Sequence, residues 1–218
     1  EKIGGWQRIS VNTFLGVCRT LFEWATLIGQ QLLGVGTNLK YYVERGGVYY
    51  DITPIRSTTP AGAVTFAASN GSDLITVTDT SHGALTNDFV TFSGAVSLGG
   101  NITADVLNRE HQIVTVLTTD TYTIRVSATA NGSDTGSGGA SVVGAYQVNT
   151  GATSAQAVSG WGAGAWSAGA WGVGFPADAI RLWSHSNYGE DLIFGPRGDG
   201  LYYWDSSVGL TTRGTLVT

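Results

Sequence analysis

Along Gly29–Thr53, GQQLLGVGTNLKYYVERGGVYYDIT, apolar positions fall into short runs separated by turn residues. These runs predict strands at Gln31 to Gly36, Lys40 to Glu44 and Val48 to Thr53, with turns at Thr37-Asn38 and Arg45-Gly46-Gly47. The paired glycines tolerate the positive φ that a tight hairpin needs. Pro54 has no N–H to donate and ends the ladder. Upstream, periodicity alone fits an amphipathic helix over 13–28 as well as a strand. The β-branched and aromatic content of Val17 to Ala25 favours a strand there, with Gly29-Gln30 as its hairpin. Four strands joined by consecutive hairpins make one antiparallel blade.

Most of this pattern returns near the C-terminus. Gly189–Asp205 runs GEDLIFGPRGDGLYYWD, and Arg181-Leu182-Trp183 stands where Arg19-Thr20-Leu21-Phe22 stood. A unit of roughly 35 residues thus occurs twice, about 160 positions apart, as propeller blades of ~40 residues do. The repeat predicts that Tyr41-Tyr42 and Tyr202-Tyr203 occupy equivalent strands.

Between the copies the chain changes character. Thr-, Val- and Ile-rich segments, such as Leu74 to Thr78, Phe89 to Ser93, Gln112 to Leu117 and Thr121 to Val126, alternate with turn clusters such as Ser69 to Asp73 and Asn131 to Gly139. Short alternating strands at this density predict a small sandwich or barrel. The expected architecture is therefore all-β: propeller-like antiparallel blades over 1–59 and 178–218, interrupted by an inserted small β-sandwich or barrel over 60–150. A Trp/Gly-rich loop over 151–177 completes it. In that loop Trp161, Trp166 and Trp171 recur every five residues and Phe175 follows. That spacing suits neither one helix face nor one strand face, so an extended loop docking its aromatics into grooves is expected. Trp161, Trp166, Trp171 and Phe175 are the interface candidates, with sugar stacking by exposed indoles as the alternative.

Composition sharpens the picture. Only 12% of the residues are charged against a usual ~25%, and 32 of 218 are Gly, so turns and neutral polar surface dominate. A net charge of −5 with no basic run argues against sequence-specific nucleic-acid binding. Cys18, the single cysteine, excludes an intrachain disulfide. No apolar run reaches the ~20 residues of a membrane span. The opening Glu1-Lys2-Ile3 and the absence of Met point to a piece of a longer polypeptide.

Candidate chemistry is sparse. His82, His111 and His185 lack the H-x-x-x-H spacing of a metal site. Asp51, Asp88, Asp105, Asp178, Glu190, Asp191, Asp199 and Asp205 mostly sit beside Gly, Asn, Ser or Pro, where they fit turn roles better than a glycosidase pair. There is no G-x-S-x-G elbow and no phosphate loop. Arg197-Gly198-Asp199 falls where the repeat demands a turn. No catalytic, cofactor-binding or metal-ligating residue is assigned, and no enzymatic activity is expected.

The strings Glu1 to Trp6, Leu33 to Thr37 and Tyr50 to Pro54 resemble structural proteins of short-tailed bacteriophages. So do His82-Gly83, Asp88 to Gly94, Asp120 to Ile124, the Trp-Gly repeats, Leu182 to Ser184 and Gly189 to Ile193. The resemblance implies a virion tail component, the propeller-bearing nozzle or distal tail tube, built as a homo-oligomeric ring through which DNA exits. Its expected partners are further copies of itself and other tail proteins such as adaptor and fibres. A receptor- or glycan-binding adhesin module using the Trp residues is the alternative.

Overall fold

A computed structural model describes residues 10–152 and 180–217. The chain divides into two compact units, one made of 1–53 with 151–218 and the other of 54–150. Among the described residues the structure is all-β but for one four-residue helix.

In the first unit β1 (Cys18–Ala25), β2 (Gln31–Thr37), β3 (Tyr41–Arg45) and β4 (Val48–Asp51) form an antiparallel sheet in chain order. The turn chemistry is the one the residues call for. Gly46 and Gly47 sit at φ +61° and +85° between β3 and β4, and the Thr37 hydroxyl accepts the Lys40 N–H at 2.8 Å to close the β2–β3 turn.

The second unit contains β5 (Ile55–Thr58), β6 (Thr65–Ala68), β7 (Leu74–Thr78), β8 (Phe89–Ser93), α1 (Ala104–Leu107), β9 (Glu110–Val116), β10 (Thr121–Arg125) and β11 (Val143–Gln147). Its seven strands form one sheet in the order β5-β11-β8-β9-β10-β7-β6. This unit starts ahead of the residue 60 expected from the sequence, because β5 pairs with β11 and belongs to it. Strand alternation sets the core: Ile75, Val77, Tyr122 and Ile124 are buried while Thr76 and Thr123 on the opposite face are less so. Phe66 of β6 meets Phe92 of β8 edge-on at 5.0 Å although three strands separate them. In a flat sheet they would lie ~19 Å apart, so the sheet curls back over its own core. Bulges at Thr123/Ile124 and Tyr146/Gln147 supply bending. β5 and β6 remain the two edges and do not pair, so the expected barrel is not closed.

Returning to the first unit, β12 (Trp183–Tyr188), β13 (Asp191–Pro196), β14 (Tyr202–Trp204) and β15 (Thr215–Leu216) form a second antiparallel meander. The repeat is real at this level: Tyr41-Tyr42 and Tyr202-Tyr203 both lie on the third strand. Tyr41 pairs with Gly36, four positions beyond Leu32, whereas Tyr202 pairs with Phe194, two positions beyond Leu192. The registers differ by an even number, so each side chain keeps its face. Tyr41 and Val43 are buried on one sheet, Tyr202 and Trp204 on the other.

These equivalent faces are turned on each other. Tyr41 lies 4.6 Å from Phe194 and 5.0 Å from Trp183, and Trp24 meets Trp204 edge-on at 6.4 Å. Gly36 makes this approach possible, because a Cβ there would fall 2.5 Å from Trp183 Cδ1. Consecutive propeller blades pack the front of one on the back of the next, since a rotation relates them. Here like face meets like face, so the two repeats form a two-layer sandwich rather than successive propeller blades, which corrects the expectation.

Candidate interaction surfaces

The sandwich is closed at one corner by charge. Lys40 Nζ lies 2.6 Å from Asp51 Oδ2 with its side chain 2% exposed, and Arg213 Nη1 reaches Asp51 Oδ1 at 2.9 Å. The Thr53 hydroxyl and N–H also donate to Asp51 Oδ1, at 2.6 and 2.9 Å. Burial alone would raise the Asp51 carboxyl, but Lys40, Arg213 and Thr53 overcome it and hold the group below the usual carboxylate range. Gly214 N–H donates to Ile52 O at 3.0 Å beside this cluster, so the C-terminal strand is pinned to the first sheet.

In the other unit the Tyr146 hydroxyl donates to the buried Asp79 carboxylate at 2.7 Å. Tyr146 has one proton to give, so Tyr122, 2.8 Å away, donates to Tyr146. Burial pushes both phenols well above the ordinary tyrosine range. The Arg56 guanidinium lies 5.3 Å from the Tyr146 ring centre and gives a hydrogen bond to His82 O at 2.8 Å.

The histidines are placed apart, each against an aromatic ring. His82 Nδ1 accepts the Ala84 N–H at 3.0 Å and its ring stands edge-on to Tyr122. His111 Nε2 lies 3.1 Å from Leu107 O, and burial lowers its pKa despite that bond. His185 Nδ1 is 3.2 Å from the Tyr41 hydroxyl with its ring on Phe22, and burial lowers its pKa too. Among the described residues no three His, Cys, Asp or Glu side chains form a group that could hold a metal ion.

Apart from Asp51, the described acidic residues singled out by sequence satisfy N–H and hydroxyl groups of nearby turns and strands or shape turns themselves. Asp88 accepts from Leu85 N–H at 2.7 Å and Thr150 N–H at 2.7 Å. Asp191 accepts from the Tyr203 hydroxyl and from both N–H and hydroxyl of Ser206. Asp205 accepts the Ser207 N–H and hydroxyl, and the carbonyl of Asp105 holds the Arg109 side chain. Asp199 N–H closes a turn onto Pro196 O at 3.1 Å with Gly198 at φ +86°, the turn expected of that Arg-Gly-Asp string. Asp178, Trp161, Trp166, Trp171 and Phe175 lie outside the described residues.

The surface features that sequence reading missed are aliphatic. Leu27 is 92% and Ile28 79% exposed at the β1–β2 hairpin tip, and Tyr188 is 69% exposed beside the β12–β13 hairpin. The two tips are tied together, since Trp24 Nε1 donates to Glu190 O at 2.9 Å and Leu27 N–H donates to the Glu190 carboxylate. The matching hairpins, Thr26 to Gln30 and Gly189-Glu190, were the signal available in the sequence.

No protein family matches this chain by sequence, and no curated protein does. Among solved structures it is similar to the phage phi92 endosialidase. The superposition covers 92% of this chain and 28% of that one, at 16% identity and a TM-score of 0.34. A likeness at that score carries no argument about architecture or activity. Among the described residues no helix is long and apolar enough to cross a membrane. The arrangement offers the chemistry of contact: rigid sheets, neutral polar turns, and aliphatic side chains presented at their ends.

Proposed function

We propose that the chain is a structural, non-enzymatic component of a bacteriophage tail, placed in the virion at the nozzle or distal tail tube. Copies of it assemble into a ring through which DNA exits, in contact with other tail proteins such as adaptor and fibres. The observation that carries this reading is the resemblance of strings spread through both units, from Leu33–Thr37 to Gly189–Ile193, to structural proteins of short-tailed phages. Two further facts support it. The chain is charge-poor, with 12% charged residues, as suits surface that becomes buried on assembly. It also holds aliphatic side chains out at hairpin tips, where a monomer gains nothing from them.

In this reading the work is mechanical. Aromatic contacts and the Lys40–Asp51–Arg213 cluster make the sandwich a stiff wall element. The test is mass measurement of the purified protein, alone and mixed with tail components, with imaging of the resulting particle. A closed homo-oligomer that joins the tail is expected. A strict monomer that never enters a tail particle overturns the reading. Glycan-array binding that disappears when Trp161, Trp166 and Trp171 become Ala replaces it with an adhesin.

A further inference from the structure

We infer that Asn131 is a self-modification site: it deamidates through the Gly132 nitrogen to aspartate or isoaspartate, which loosens the two loops that Asp134 ties together in the inserted unit. This stands independently of the tail reading.

The unit carries its own control. Asn-Gly-Ser-Asp occurs twice, at 70–73 and at 131–134, so the local chemistry is shared and only the folded backbone differs. Deamidation requires the glycine nitrogen to shed its proton and reach the asparagine Cγ, an approach that glycine permits because it has no Cβ in the way. At the first copy the Gly71 N–H donates to Ala130 O at 2.9 Å, and the Asn70 side chain makes no hydrogen bond among the described residues. The nucleophile is held there and its target is not.

The second copy is the reverse. Gly132 is exposed, and among the described residues nothing accepts its N–H. Asn131 Oδ1 accepts the Ser133 N–H at 2.9 Å, while Asn131 O accepts the Asp134 N–H at 3.1 Å. This Asx turn curls the side chain back over the Gly132 peptide. It also aims a fixed N–H at the oxygen on which negative charge develops when Cγ is attacked.

The chemistry needs only solvent. Hydroxide or a buffer base takes the Gly132 proton, and the nitrogen forms a bond to Cγ. The bond from Cγ to the side-chain amide nitrogen breaks, and that nitrogen leaves as ammonia with a proton from water. Water then opens the cyclic imide: cleavage at Cγ gives aspartate at 131, and cleavage at the main-chain carbonyl gives isoaspartate. Nothing is oxidised or reduced. The product lands where it matters, because the buried Asp134 carboxylate accepts the N–H groups of Gly100 at 2.9 Å, Asn101 at 3.0 Å, Ile102 at 2.9 Å and Asn131 at 2.8 Å. One carboxylate thus ties 100–102 to 131–134. Asn131 Oδ1 and Asp134 Oδ2 both crowd the Cα of Gly100, lying 2.2 and 2.8 Å from where a Cβ would stand. A new carboxylate at 131 therefore repels Asp134 at close range, and isoaspartate also lengthens the main chain by one methylene.

The full chain, aged in mildly alkaline buffer made with oxygen-labelled water, then digested and read by mass spectrometry, decides this. Asn131 should convert about tenfold or more faster than Asn70 and take up one labelled oxygen, because a preorganised donor and an unengaged nucleophile favour it. In urea the two copies should converge, since their sequence is shared. Gly132→Ala should slow conversion at Asn131 about tenfold by hindering the attack. That variant should keep the parent's circular dichroism, as nothing lies within 4 Å of a Cβ built there. In the converted fraction the N–H groups of Gly100, Asn101 and Ile102 should exchange faster than in fresh protein. Asn70 converting as fast as Asn131 in the native chain overturns the inference, and so does an aged chain in which neither changes. Unchanged exchange at 100–102 in the converted fraction overturns the coupling to the loops.

Discussion

In the sandwich unit the half-buried carboxylate Asp51 is answered by two cations, Lys40 and Arg213, whereas in the inserted unit the buried Asp79 is answered by neutral hydroxyls, Tyr146 and behind it Tyr122. Both arrangements satisfy the oxygen atoms, and they differ in what removing one partner leaves behind. Breaking the first strands a buried ammonium, which is costly because the interior cannot solvate it. Breaking the second strands a hydroxyl and part of a carboxylate, which costs one lost hydrogen bond and some desolvation. The charged arrangement also joins elements far apart in sequence, while the tyrosine line stays inside one curled sheet. A unit closed by charge should therefore fail more abruptly than one closed by hydroxyls.

The largest expected break is Asp51→Asn. It should destabilise the sandwich unit by about 3–5 kcal/mol by leaving Lys40 uncompensated. Hydrogen exchange should show β3 and β14 losing protection while β7 and β10 keep theirs; equal loss in both units would make the comparison meaningless. Next comes Tyr146→Phe, expected to cost the inserted unit about 1–3 kcal/mol through the unsatisfied Asp79 and Tyr122 groups. Denaturant unfolding followed by exchange in β10 and β11 checks it.

Acidification sharpens the contrast further. The folded pKa values of His111 and His185 are lowered by burial from 6.5, so the unfolded chain binds protons first as pH falls. The stability these residues contribute is complete above pH 6.5 and is lost as pH drops toward their folded values. Asp51 is also lowered, from 3.8, so its contribution is present above pH 3.8 and goes only in stronger acid. Replacing His111 by Gln should flatten the first part of this loss in the inserted unit, read as the pH slope of its unfolding midpoint. The smallest effect is expected from Leu27→Ser. At 92% exposure this change should leave stability within about 0.5 kcal/mol in a thermal melt. A larger loss would mean that the tip supports its own fold.

Much of the sandwich was legible locally. The expected strands over Gln31 to Gly36, Lys40 to Glu44 and Val48 to Thr53 differ from β2, β3 and β4 by a residue or two at their ends. Given the hairpin at Arg45-Gly46-Gly47, even the Lys40–Asp51 pair could have been found. Asp51 pairs across from Tyr42, and Lys40 lies two positions along the same face, a diagonal neighbour. Arg213 could not have been found this way, because nothing near it in sequence shows which strand its segment will join. Trp161, Trp166 and Trp171 stand out in the sequence by their spacing, whereas Leu27 and Ile28 lie just before the Gly29-Gln30 turn with nothing in their residue type to mark them as exposed.

By itself the sequence determined what depends on neighbours a few residues away: where strands run, which face of each is apolar, where glycine turns them, and that one four-stranded unit is written twice. Those properties follow from backbone sterics and a period of two. Tertiary structure alone decided how the pieces meet. It set like faces of the repeats together in a sandwich, since amphipathic sheets of either repeat could equally have stacked front to back. It left the seven-stranded sheet curled but open, since closure depends on summed twist and bulges rather than on any one strand. And it placed Leu27 and Ile28 outside rather than inside, because burial belongs to the assembled surface and no residue type carries it alone.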